Sequence, residues 1–131
     1  MIFLVASSVN LVLAQRLARV ICTGCKQPAE VHPQALIEMG VDPNEARGVT
    51  CFSGTGCANC GGTGYRGRVA LYEVMPMSEE LRDSVLAGGS ASDIKRTAIT
   101  AGMMTLRQSG LLKLRQGVTT IEEVMRVTMP D

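Results

Sequence analysis

The sequence predicts an α+β fold, mostly α, in which a stapled loop with a small β element precedes a compact C-terminal helical subdomain. Three observations lead there. Four of the five cysteines stand in two matched pairs, Cys22-x-x-Cys25 and Cys57-x-x-Cys60. Residues 68–75, Arg-Val-Ala-Leu-Tyr-Glu-Val-Met, alternate as a strand does. From Ser78 onward, short helical segments stop at glycines. The expected organisation is a helix within residues 1–20, a cysteine-bearing subdomain with short strands over 21–76 and a helical subdomain over 77–131.

A chain of 131 residues suits one modest domain or two small subdomains. Hydrophobic residues make up 46%, but two Phe, two Tyr and no Trp leave core packing to Leu, Val and eight Met. The formal charge of +1 lacks the basic excess of a dedicated nucleic-acid binder, and 3% aromatics leave little for bases to stack on. Residues 1–15 carry no charge, yet no basic segment precedes the apolar run, and Ser7, Ser8, Asn10 and Gln15 interrupt it. The stretch also falls short of the roughly 20 residues that span a bilayer. It reads as a buried helix, with no direct membrane insertion.

Taken in order, residues 3–20 are expected to form that helix, mixing Leu4, Leu11, Val12 and Leu17 with Gln15, Arg16 and Arg19. It opens without an N-cap, as a segment continuing from upstream chain would. Residues 26–56 read as loop with some helix. Leu36, Ile37 and Met39 fall on a short helix that Gly40 can end, and Asp42-Pro43 is a cap and first-turn signal. Residues 49–52 suggest a brief strand. In the later strand, Val69, Leu71, Glu73 and Met75 share one face, and Ala70, Tyr72 and Val74 the other. Ser78 is expected to cap a helix over 79–87, and Ser90 or Ser92 a second that Gly102 ends. A third over 105–116 stops at Gly117, with Gly110 as a weak point. Thr119-Thr-Ile-Glu122 reads as a capping box for the last.

The cysteine pairs carry the chemistry. Each Cys-x-x-Cys lets two sulfurs turn toward one centre, and two pairs supply the four thiolates of a tetrahedral zinc ion. The paired spacing and odd count suit a metal better than disulfides, which points to a reducing, cytoplasmic compartment. The 31 residues between Cys25 and Cys57 exceed a compact zinc ribbon, but loop-closure entropy grows only logarithmically. The expected ligands are therefore Cys22, Cys25, Cys57 and Cys60. Four protein thiolates leave no position for water, so the expected role is structural. Zn²⁺ with four thiolates would bring the formal charge to about −1. Cys51 is left over, as a buried strand residue or a spare ligand. His32 could complete a Cys₃His site and otherwise reads as a solvated loop residue. Arg66 and Arg68 read as solvated turn charges, or as contacts for a phosphate or an acidic partner. No Gly-x-x-x-x-Gly-Lys-Ser/Thr loop occurs, and one histidine cannot assemble a nucleophilic triad, so no catalytic residue is assigned.

Several strings resemble the type II secretion and type IV pilus assembly ATPases, the PilB/GspE family. They are Leu-Val-Ala-Ser-Ser at 4–8, Leu-Ala-Gln-Arg-Leu at 13–17, the cysteine pairs and Gly-Thr-Gly-Tyr-Arg-Gly-Arg at 62–68. Ala-Leu-Tyr-Glu-Val at 70–74, Gly-Met-Met-Thr-Leu at 102–106 and Gly-Val-Thr-Thr-Ile-Glu-Glu-Val at 117–124 complete the set, in family order. The resemblance implies that residues 1–20 are the tail of an ATPase core and that the cysteines hold structural zinc. It further implies a cytoplasmic hexameric motor, inner-membrane-associated through its partners, touching neighbouring subunits and an inner-membrane platform protein. ATP and Mg²⁺ would bind only in the full-length parent, because the family's nucleotide-binding motifs lie upstream of these residues. The competing reading is a free-standing zinc-binding interaction module. Cys57-x-x-Cys60-x-Gly-x-Gly64 does resemble one repeat of the DnaJ zinc domain, but the first pair lacks the following glycines.

Overall fold

A computed structural model describes residues 11–76, 79–100 and 102–129. It replaces the first expected helix by a strand. Residues 3–10 lie outside the described set, and β1 runs over Leu11–Ile21. Along it Ala18 is buried, while Leu13 and Leu17 on the other face are 55% and 47% exposed. Apolar residues on both faces hide the period-2 signature, and their spacing of four imitates a helix. Pairing with β4, which no local signal announces, decides the outcome.

After β1 come β2 (Lys26–Ala29), α1 (Pro33–Met39), α2 (Pro43–Ala46) and β3 (Cys51–Gly54). β2 and β3 pair antiparallel with Lys26 opposite Gly54 and Ala29 opposite Cys51. β2 falls in a segment expected to be loop and helix, and Pro28 within it conceals a strand that is mostly exposed. The expected strand over 49–52 instead covers 51–54. Both short helices form as expected. Gly40 ends α1 in the left-handed region, and Asp42 caps α2 by accepting from the Asn44 N–H at 2.8 Å.

β4 (Tyr65–Pro76) is longer than expected and alternates as expected, with Leu71 fully buried and Tyr72 and Val74 outward. Then follow α3 (Glu79–Leu86), α4 (Ala91–Thr100), α5 (Leu106–Arg115) and α6 (Ile121–Val127). The expected cap Ser78 lies outside the described residues. Ser90 caps α4 reciprocally with Asp93, each side chain accepting the other's backbone N–H. At α6 the cap shifts by one residue: Thr120 accepts from the Glu123 N–H, while Thr119 donates its hydroxyl to the Arg19 carbonyl.

The chain divides into two compact units. One comprises described residues of 11–14 and 72–105, with Leu81 and Ala98 at its core and Met75, Ile94 and Met103 against them. The other comprises residues 15–71 and those from 106 onward. The units interleave along the chain, where the sequence reading divides it into consecutive segments. The core of the second unit joins Leu36, Met39, Val41, Ala46 and Cys51 to Leu111, Leu114, Ile121 and Val124. Full burial of such side chains is worth about 1.5–3 kcal/mol each. Gly110, a weakness in an isolated helix, is explained here: a Cβ on it would lie 2.9 Å from Val124 Cγ1. The glycine lets α5 and α6 approach.

Candidate metal centre

The candidate centre belongs to the second unit. Cys22 directly follows β1, and its N–H donates to the Gly64 carbonyl at 2.9 Å, tying the first knuckle to the second. Each pair closes the same turn: the Cys25 N–H donates to the Cys22 carbonyl, and the Cys60 N–H to the Cys57 carbonyl, both at 3.3 Å. The second pair brackets a single 3₁₀ turn, Ala58–Cys60.

Sulfur-to-sulfur distances are 3.7 Å for Cys22–Cys57 and 3.8 Å for both Cys25–Cys60 and Cys57–Cys60. All four sulfurs lie within 4.8 Å of one another. A tetrahedron with zinc–sulfur arms of about 2.3 Å has edges of about 3.8 Å, the length of the three closest sulfur pairs here. Backbone amides support the sulfurs from outside. Gly56 N–H donates to Cys25 Sγ at 3.3 Å, and Cys57 and Gly64 N–H groups both donate to Cys60 Sγ at 3.2 Å. These donors orient the sulfurs and favour the thiolate form at Cys25 and Cys60.

The glycines around the cage are steric requirements. A Cβ on Gly24 would sit 2.9 Å from Asn59 Nδ2 and 3.4 Å from Cys57 Sγ. Gly54 and Gly64 cross backbone to backbone, so a Cβ on either would meet the other's carbonyl, and Gly64 has φ +81° as well. This contact brings β3 and the start of β4 together beneath the knuckles.

The thiols are not equivalent. The Cys57 and Gly64 amides pull Cys60 down to about 6 against its desolvation. Desolvation pushes Cys25 up to about 11, with the neighbouring thiols adding to it and the Gly56 amide opposing. The amides thus favour the thiolate at Cys60, and a cation at the centre would supply the charge that favours it at Cys25.

The two remaining candidates separate from the tetrad. Cys51 is 4% exposed in the core, where burial and then the Glu122 charge raise its pKa. His32 caps α1, its Nδ1 accepting from the Gln34 N–H at 3.1 Å. Sequence reasoning missed a second polar centre. Glu123, 1% exposed, accepts from the Arg19 backbone N–H at 2.7 Å and from the guanidinium groups of Arg19 and Arg126. The Arg126 and Arg19 bonds hold its carboxyl down to about 2 against desolvation. Arg107 is another, 6% exposed, donating to Thr128 and to Met39 Sδ. Alternation of charge and apolar residues in α5 and α6 gave no sign of either.

Four sulfurs within 4.8 Å of one another, built on two linked knuckles, define a candidate metal module. The chain belongs to the family described as Type II/IV secretion system protein, which it matches over residues 1–126. It is 52% identical over 130 residues to the type IV pilus assembly ATPase PilB of Myxococcus xanthus, covering 98% of this chain and 23% of that protein. It is 44% identical over 118 residues to PilB of Thermus thermophilus, covering 90% of this chain and 13% of the relative. With type II secretion system protein E of Pseudomonas aeruginosa it shares 40% over 129 residues, 98% of this chain and 25% of the relative. The chain therefore spans about a quarter or less of these relatives. Among the described residues no helix is long and apolar enough to cross a membrane.

Proposed function

We propose that Cys22, Cys25, Cys57 and Cys60 hold a structural Zn²⁺, and that this chain acts as the zinc-stapled region of a hexameric secretion or pilus assembly ATPase. In that reading ATP and Mg²⁺ bind in parts of the longer protein, and these 131 residues contribute no catalytic group. Their work is mechanical. The module presents contacts to a neighbouring subunit or an inner-membrane platform protein, on the cytoplasmic side, and passes on the motion of the motor.

The sulfur cage is the observation that carries the zinc assignment, because three of its six edges are 3.7–3.8 Å and all lie within 4.8 Å, a convergence that free thiols have no need of. Bound zinc would cross-link the two knuckles; the amides of Gly56, Cys57 and Gly64 orient the sulfurs, and the Gly54–Gly64 contact sets their spacing. Apparent zinc affinities of about 10 kcal/mol or more rival the whole stability of a small domain. The long relatives, by name a type IV pilus assembly ATPase and a type II secretion system protein E, support the motor setting.

Elemental analysis of the purified chain tests the centre: about one zinc per chain, no ATP hydrolysis, and loss of both metal and thermal stability in Cys57→Ser. A Cys57→Ser chain that melts like the wild type would remove the structural role. In the full-length parent the same substitution should uncouple assembly; normal assembly would refute the coupling role.

A further inference from the structure

Away from the sulfur cage, the second unit carries a cleft of about 390 Å³ lined by Leu17, Arg19, Arg68 and Arg126. Its charge is unbalanced. Three arginines line it, and one carboxylate, Glu123, 1% exposed, pairs with two of them, Arg19 and Arg126. Glu123 takes two N–H groups from Arg19, at 3.0 and 2.9 Å, and two from Arg126, at 2.9 and 2.8 Å. Arg19 also stacks on the Tyr65 ring at 4.2 Å. Two of the three cations are therefore fixed in place with N–H groups to spare, while their side chains remain 45% and 54% exposed. Arg68 is exposed, and its guanidinium has no hydrogen bond or ion pair among the described residues.

We propose that this cleft docks an acidic segment of a protein partner, with carboxylates facing Arg19, Arg68 and Arg126. Planar guanidinium forks match carboxylates in pairs, and two forks already held need lose little freedom on binding. Leu17, half exposed on the wall, offers apolar surface to the stem of a Glu side chain. A phosphate pocket is ordinarily lined by backbone amides. Here the amide of Arg19 is consumed by Glu123, which favours a side-chain carboxylate as the occupant. Exposed ion pairs are individually weak. Such a contact is weak for a free peptide, in the range an NMR titration reads, and gains strength within an assembly that holds the partner close. The inference thus rests on the partner-contact reading above for its setting, but the cleft can be tested without it.

The test is titration of the ¹⁵N-labelled, zinc-loaded chain with a hexaglutamate peptide, followed by NMR of arginine Nε–H and backbone amides, in parallel with inorganic pyrophosphate. Shifts should converge on Arg19, Arg68 and Arg126, with affinity falling about fivefold in Arg68→Ala and little in Arg66→Ala. Arg66 is also exposed and does not line the cleft, so it controls for general charge. Unchanged spectra around the sulfur cage show that the fold survives the substitution. Equal losses in the two variants, no loss in Arg68→Ala, or tighter binding of pyrophosphate at the same residues would each overturn the proposal. Failure here leaves the zinc content and assembly phenotype of the parent untouched, so the two readings fail separately.

Discussion

Replacing Gly110 by Ala sets two effects of known size against each other. In a solvent-exposed helix the change stabilises by about 1 kcal/mol, because Ala restricts the unfolded chain and favours the helix. At the α5–α6 contact the new Cβ would lie 2.9 Å from Val124 Cγ1, 3.3 Å from its Cγ2 and 3.4 Å from Leu71 Cδ1. Val124 and Leu71 are both fully buried, so neither can swing into solvent. Valine is also stiff about χ1, and rotation only exchanges one methyl for the other. Overpacking of this kind costs about 1–3 kcal/mol. The packing penalty wins, leaving a net loss of about 1 kcal/mol, or about 3 °C in a chain of this size. Thermal and urea unfolding of the zinc-loaded protein, followed by circular dichroism, measure it. Val124→Ala alone costs about 2 kcal/mol as a cavity, and combined with Gly110→Ala it should cost less than the two losses added. A Gly110→Ala protein that melts above the wild type would refute the close-approach argument.

Glu123→Gln should cost about 2 kcal/mol, less than a fully buried ion pair because both arginines are half exposed and rehydrate. The folded carboxyl sits at about 2, below its unfolded value, so its contribution is complete above about pH 4.5 and is lost as pH falls through about 2. The stability gap between wild type and variant, read by urea unfolding, should hold from pH 8 to 5 and narrow below; a gap widening in acid would contradict the assignment. Cys51→Ala should leave zinc at one per chain while costing about 1 kcal/mol from the core. Loss of metal in that variant would make Cys51 a ligand.

The cage was legible because metal chemistry imposes a spacing that survives in the linear sequence: two sulfurs two residues apart, twice. Caps at Asp42 and Ser90 and the alternation of β4 were legible for a similar reason, since each is settled by neighbours in sequence. β1 was not. Its partner β4 begins at Tyr65, and exposed Leu13 and Leu17 carry no hint of a solvent face. Glu123 was hidden likewise: read locally it is a first-turn acid on α6, and only the arrival of Arg19 from 104 residues away makes it a buried anchor. Gly110 was read as a defect because its reason lies on another helix.

The long reach of these bonds sets an order of events in synthesis. The four cysteines have all been made once Cys60 emerges, whereas the Glu123 clamp on β1 waits for the start of α6, and the Ile21 amide waits for the Val118 carbonyl. Until then the last residues of β1 have an unprotected edge, and five of the nine buried residues in the second unit's core have no opposite side. A metal caught early would shorten that search, holding Ile21 and Tyr65 as near neighbours while the remaining chain is still being made. A bound metal would then be an assembly guide in time, ahead of any rigidity it lent to the finished fold.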